Sequence, residues 1–246
     1  MELLEGTSGY SYKEWVGTFY PEKTKPAAML ECYAQALPAV EINNTFYRLP
    51  KRDVLARWAA QVPEHFRFFI KASRRITHLK RLVEAEEETR YLLDTVSVLE
   101  QRLGGILFQL PPFLRLDLQR LQAFQALLPG ELSITFEFRH PSWHCEETVR
   151  ALAQAGHALC VSHTAPDPDQ EEDDARKNPE ELLIATAKHA YLRLRAVTYT
   201  DQELAQWLAH LRALQVERAY VFFKHEDEAT GPALAKRLRT LHEGQA

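Results

Sequence analysis

Apolar residues recur along this chain in two spacings, and stretches of the two kinds alternate. Short runs that are wholly apolar, or apolar at every second residue, suit strands, whose side chains point alternately to opposite faces. Eight such runs predict strands over residues 3–8, 39–43, 67–72, 105–110, 132–139, 158–162, 190–195 and 219–224. Stretches with helical spacing lie between them, at residues 27–37, 54–61, 83–103, 118–128, 146–155, 179–187, 201–214 and 230–241. Local signals support several of these bounds. Asp117 stands where the fourth helix needs an N-cap, Gly156 supplies the stop after the fifth, and Pro179 enters the first turn of the sixth after Asn178.

Strand and helix alternate eight times, roughly every 30 residues, over a length typical of a TIM barrel. The 246 residues therefore predict one α/β domain, a (β/α)8 barrel spanning the chain, with no internal repeat and no linker. A doubly wound open sheet is the alternative. Its nucleotide-binding forms are disfavoured, because no G-x-G-x-x-G follows the first strand and no Walker loop is present.

In a barrel, alternate strand residues point inward and the rest meet the helices. The strongly apolar set faces outward, which leaves a polar set inside. Strand two offers Glu41 and Asn43, strand three Lys71, strand four Gln109, and strand five Glu137 and Arg139. Strand seven offers Arg193 and Arg195, and strand eight Tyr220, Phe222 and Lys224. Six strands thus bring polar groups to the C-terminal end, where barrels of this kind place their sites. Five cations (Lys71, Arg139, Arg193, Arg195, Lys224) face two carboxylates (Glu41, Glu137), so the confined surplus is positive and predicts a small anionic ligand. The plainer alternative is an ion-pair network that merely fills the barrel.

The remaining composition narrows the partners. A net charge of -4 gives no global reason to expect nucleic acid or an acidic membrane surface. No apolar run approaches the roughly 18 residues of a membrane span. The first residues lack the basic start and apolar block of a signal peptide, and Cys32, Cys145 and Cys160 form no C-x-x-C, so a reduced cytoplasm is expected. Residues 167–174 hold six carboxylates and read as a solvated loop.

The loops above the polar end fit a pocket. Gly6 to Tyr10 ends strand one, and Tyr10, Tyr12, Trp15, Phe19 and Tyr20 cluster behind it, as a stacking surface or, more simply, a packed loop. Asn43 to Arg48, including Tyr47, ends strand two, and Ser73 to His78 follows strand three. His78 and His140 lie on loops where either can carry a proton near neutral pH. Glu41, Glu137, His140, His163 and His225 are potential metal donors, but no paired-ligand spacing links them and nearby cations oppose a divalent ion, so a metal is the less favoured reading.

Several long motifs carry a family resemblance. Gly6-Thr7-Ser8-Gly9-Tyr10-Ser11-Tyr12-Lys13-Glu14-Trp15, Phe19-Tyr20-Pro21, Val40-Glu41-Ile42-Asn43-Asn44-Thr45-Phe46-Tyr47, Lys71-Ala72, Ile76-Thr77-His78, Leu107-Phe108-Gln109-Leu110-Pro111-Pro112, and Glu137-Phe138-Arg139-His140 with Trp143 resemble the DUF72 family of YecE-like proteins, over nearly the whole chain. The resemblance implies a TIM barrel and names no reaction. Its motif positions on the inner face are Glu41, Asn43, Lys71, Gln109, Glu137, Arg139 and Arg193. The chain departs from the family pattern at Tyr10, where Trp is usual, at Arg195-Ala196 in place of His-Gly, and at Lys224-His225 in place of Asn-Asn. The last two departures imply either a more anionic ligand or a site altered beyond use.

The functional expectation is an enzyme acting on a small phosphate- or carboxylate-bearing substrate by carboxylate acid/base chemistry. Glu137 or Glu41 is the expected general acid or base, with Lys71 beside it and His140 or His78 as a second proton carrier. Tyr10, Asn43, Tyr47, His78, Gln109, Arg139, Arg193 and Lys224 are the expected ligand-binding groups. Two alternatives stay open: a metal-dependent phosphoesterase or nuclease-like protein that binds nucleic acid, and a non-catalytic ligand-binding protein. No nucleotide-cofactor motif is present and the cofactor is left open, as is the oligomeric state.

Overall fold

In a computed structural model that describes residues 1–164, 179–224 and 227–244, eight parallel strands close into a barrel in sequence order. The strands are β1 (Glu2–Ser8), β2 (Ala39–Ile42), β3 (Arg67–Lys71), β4 (Leu103–Gln109), β5 (Ile134–Glu137), β6 (Ala158–His163), β7 (His189–Leu194) and β8 (Arg218–Phe223). β8 pairs with β1, from Glu2 opposite Arg218 to Thr7 opposite Phe223, and this closes the ring. Seven α-helices cover it among the described residues: α1 (Met29–Ala36), α2 (Arg52–Gln61), α3 (Glu86–Val96), α4 (Leu118–Gln125), α5 (Glu146–Ala155), α6 (Asp201–Ala213) and α7 (Thr230–Glu243).

All eight expected strands are present. The helices differ in two places. The expected sixth helix is a single 3-10 turn at Pro179–Leu182. Beyond it Thr186 accepts a hydrogen bond from the Leu159 amide at 3.1 Å, which straps an extended segment onto β6. The long helix expected over residues 83–103 is cut at both ends. Arg81, Leu82 and Glu84 have positive φ and turn the chain before α3. After α3 a 3-10 stretch, Ser97–Arg102, is broken at Glu100 (φ 50°), which swings the chain into β4 two residues earlier than expected. β5 in turn ends at Glu137, because Phe138 leaves the sheet and stacks on Trp143 at 4.4 Å. The acidic stretch at residues 167–174 and His225 lie outside the described residues.

Two cores result from the alternation along each strand. The larger one lies between sheet and helices and takes the outward residues, such as Val40, Ile42, Phe68, Ile70, Phe108 and Phe136. The smaller fills the barrel with Leu4, Ala39, Phe69, Leu107, Cys160, Tyr191, Tyr220 and Phe222. Phe69 is the pivot of this inner core, with its ring 4.4 Å from that of Tyr191 and 5.0 Å from that of Tyr220. Gly105 makes room for it, since a β-carbon there would lie 2.6 Å from the Phe69 ring and 2.3 Å from the Ser133 carbonyl oxygen. Neither the sheet backbone nor a ring wedged in a filled barrel can retreat. Gly105→Ala is therefore expected to destabilise the barrel by about 3 kcal/mol in urea-denaturation measurements, the upper part of the overpacking range.

Candidate active site

Above the apolar layer the inward residues become charged. Arg193 on β7 is 1% exposed and reaches across the barrel to two carboxylates. Its Nη1 donates to Glu137 Oε2 on β5 and its Nη2 to Glu41 Oε1 on β2, both at 2.8 Å. A guanidinium carries five donors in a planar fork, so one arginine can bind two acids at once. Each carboxylate has further donors. Glu41 accepts from Ser8 Oγ at 2.6 Å, Asn43 Nδ2 at 2.9 Å and the Tyr191 hydroxyl at 2.7 Å. Glu137 accepts from Gln109 Nε2 at 2.7 Å, its register partner on β4.

These contacts set the charges. Burial pushes the Glu41 carboxyl up, but the Arg193 charge and the hydrogen bonds from Ser8, Tyr191 and Arg193 outweigh it and hold the group at about 2. Burial also raises Glu137, and the charges of Arg193 and Arg195 with the Gln109 hydrogen bond bring it below the ordinary carboxylate range. Both acids are thus anions at neutral pH. Arg193, despite its burial, is held firmly charged by the same two carboxylates.

Lys71, at the end of β3, is half-buried at the rim of this layer. Its Nζ lies 4.5 Å from the centroid of the Phe46 ring. Burial first, and then the Arg193 charge with help from Arg195, lower its ammonium to about 8, against the opposing pull of Glu41 and Glu137. His78 stands edge-on to the same Phe46 ring, 4.8 Å between centroids, with Nδ1 2.9 Å from Thr77 Oγ1. Burial, then the charges of Lys71, Arg139 and Arg74, hold its imidazole below the usual range. Lys71, His78 and Phe46 therefore share one patch beside the Arg193 cluster.

Of the expected site residues, Glu41, Asn43, Gln109, Glu137 and Arg193 form one network, and Lys71 and His78 lie beside it. The others do not join it. Arg139 and Lys224 follow the ends of β5 and β8 and are exposed, so the confined surplus of positive charge is smaller than expected. Tyr47 is 73% exposed, with its ring edge-on to Phe46. Tyr10 packs on Tyr33 of α1 and Trp58 of α2, and burial raises its hydroxyl to about 12. The aromatic run behind Tyr10 is a packed loop, with Trp15 and Tyr20 buried and Phe19 against Tyr33 and Lys236. His140 caps a turn. Its Nδ1 accepts from the Ser142 amide at 3.1 Å, and that turn (Pro141–Trp143) buries Trp143.

Three contributors escaped the sequence reading. Ser8 and Tyr191 share the inward parity of their strands and could have been found by it. Phe46 could not, because the 3-10 turn Asn44–Phe46 decides where its ring points. Of the potential metal donors, Glu41 and Glu137 bond Arg193, His140 caps its turn, and His163 Nδ1 lies 2.7 Å from the Tyr199 hydroxyl. No three His, Cys, Asp or Glu side chains converge on one point among the described residues. Nor is any described helix long and apolar enough to cross a membrane.

The architecture is that of a (β/α)8 barrel whose C-terminal end carries a buried Glu–Arg–Glu bridge. Its relatives share the architecture. Residues 4–246 match the model for "Protein of unknown function DUF72". The UPF0759 protein YecE of Escherichia coli K12 is 31% identical over 233 residues, which cover 85% of this chain and 84% of that protein. The UPF0759 protein YunF of Bacillus subtilis is 24% identical over 243 residues, covering 88% and 86%. The crystal structure of a DUF72 family protein from Thermotoga maritima superposes with a TM-score of 0.78 at 24% identity, over the full length of both chains. One from Enterococcus faecalis gives 0.75 at 18% identity, over 98% of each. This chain belongs to the DUF72 family.

The bridge makes two measurable demands. Removing its centre leaves two buried anions uncompensated, so Arg193→Met is expected to cost about 3–5 kcal/mol in chemical denaturation. Glu41 is held at about 2 in the folded protein, below the ordinary 4.5 of a glutamate. Its contribution is present above about 4.5 and is lost as pH falls towards 2. Acid unfolding of Glu41→Gln should therefore lack part of the slope seen between those pH values in the parent protein.

Proposed function

We propose that this barrel is an enzyme acting on a small anionic substrate, one that bears a phosphate or carboxylate. The observation that carries this reading is the charge balance of the polar layer. Glu41 and Glu137 are both bonded to Arg193 at 2.8 Å, while Lys71 and Arg195 add two further cations to the same end. Among the described residues three cations and two anions line this layer, a positive excess where water is partly excluded and fields are strong.

The roles follow from access and hydrogen bonding. Glu41 is wholly buried, receives three donors on Oε1 and one on Oε2, and is held at about 2, which makes it a poor base and keeps it from a substrate. Its role is to fix Arg193. Glu137 is held as an anion and orients Gln109 and Arg193. The proton carrier that best fits the geometry is therefore Lys71 rather than either carboxylate, because it is partly exposed and titrates near neutrality. Arg195 and the rim cation Arg139 would bind the anionic group, and His78 would face it across Phe46.

This changes what a carboxylate substitution reports. Glu137→Gln weakens the bridge as well as the chemistry, so its lost activity would mix stability with catalysis. Lys71→Met separates them, since it removes a desolvated charge with no hydrogen bond to lose. A second reading, anion binding without turnover, is favoured by the full hydrogen bonding of Glu41.

A thermal-shift screen of metal-stripped protein against phosphorylated metabolites, organic acids, nucleotides and divalent ions tests the reading. An anion at 100 times its Kd should raise Tm by about 5–10 °C. The shift should shrink in Lys71→Met and Arg195→Met, and should weaken as pH rises through about 8, where the Lys71 ammonium loses its proton. Stabilisation by divalent ions alone would favour a metal-dependent phosphoesterase instead. Binding without any product over hours would favour the second reading.

A further inference from the structure

Lys71 on β3 stands apart from the Arg193 network. Among the described residues Lys71 Nζ has no carboxylate within 4.0 Å and donates no hydrogen bond, and it lies over the Phe46 ring, 4.5 Å from the centroid. The two glutamates that would otherwise hold it as an ammonium are both engaged by Arg193. A lysine that is partly desolvated, with arginines beside it and no acid in contact, is the arrangement that turns an amine into a nucleophile near neutral pH, against which the Phe46 ring face favours the ammonium only weakly. The location is also the one from which a barrel strand presents a reacting group to a ligand.

We propose that Lys71 is a nucleophile that forms an imine with an aldehyde or ketone carrying a carboxylate or phosphate, its anionic group held by Arg195. This rests on the anionic-substrate reading above and names its substrate class. The step balances without an added oxidant or reductant. The neutral Nζ attacks the carbonyl carbon, a C–N bond forms, and the C=O π pair moves to oxygen. One amine hydrogen passes to that oxygen to give a carbinolamine. The C–O bond then breaks, the second amine hydrogen leaves with the oxygen as water, and a C=N bond remains. Two features favour Lys71 over surface lysines. Its free-amine fraction at pH 7 is roughly 300-fold that of an ordinary lysine, because burial and Arg193 lower its ammonium to about 8 from 10.5. The second is its place, since the end of β3 starts the side chain at the rim of the polar layer, over the Phe46 ring.

Borohydride trapping tests this on the full chain. The protein is incubated with pyruvate, glyoxylate or glyceraldehyde 3-phosphate at pH 7.5, reduced, digested and mapped by mass spectrometry. Lactate and inorganic phosphate, which have no aldehyde or ketone, are run in parallel by thermal shift. At least one carbonyl probe should label Lys71 at least about tenfold more than any other lysine, with yield rising towards pH 8. Lys71→Arg, which keeps the charge, should lose this adduct and keep its thermal shift with phosphate or lactate. Labelling spread evenly over the lysines, or no adduct at Lys71 with all three probes, overturns the proposal. If lactate or phosphate still stabilises the protein in that case, the anionic-substrate reading stands alone. If neither adduct nor stabilisation is seen, both fall.

Discussion

A single buried guanidinium governs the interior of this barrel. Arg193 is 1% exposed, and such a charge persists in a protein interior only when it is met by opposite charge and hydrogen bonds. Glu41 and Glu137 provide the charge, and Ser8, Asn43, Tyr191 and Gln109 donate further hydrogen bonds to the two carboxylates. Each strand contributes because inward parity and register bring it there. Ser8 lies opposite Glu41, and Gln109 opposite Glu137. A one-residue slip in either pair would turn a donor outward and strand an acid.

The reactive character of the end follows from the same bridge. With the carboxylates committed to Arg193, Lys71 meets an aromatic ring instead of an acid. The apolar layer below, centred on Phe69, keeps the polar layer dry from beneath, so charge interactions within it are strong. Structure and chemistry are thus coupled: the groups that hold the barrel together are also those that leave one amine uncompensated.

Much of this was legible in the order of residues, for a simple reason. Strand side chains alternate with period two, so one apolar face identifies the other, and Glu41, Lys71, Gln109, Glu137, Arg193 and Arg195 fall on it. The inward-facing expectation breaks down where alternation ends. Arg139 and Lys224 continue the pattern on paper, but the chain has already left the sheet, at β5 because Phe138 stacks on Trp143. His140 is placed by its turn rather than by strand parity, with its Nδ1 accepting from the Ser142 amide. Helix ends at residues 83–103 failed because strained backbone at Arg81, Leu82, Glu84 and Glu100 leaves no signature that charge-rich helical spacing does not mask. Phe46 depends on the conformation of a turn, which periodicity does not describe.

The bridge also divides the chain unequally. Glu137 and Arg193 both come from the second four strands, whereas Glu41 comes from the first four, 152 residues away from its arginine. A nascent second half can therefore neutralise its own buried charges, but a first half standing alone carries a carboxylate with no guanidinium to meet. Closure of the ring is what completes the electrostatics, and contacts of such long sequence separation form late and slowly. The interior of this barrel acts as a lock that engages only when both halves have arrived.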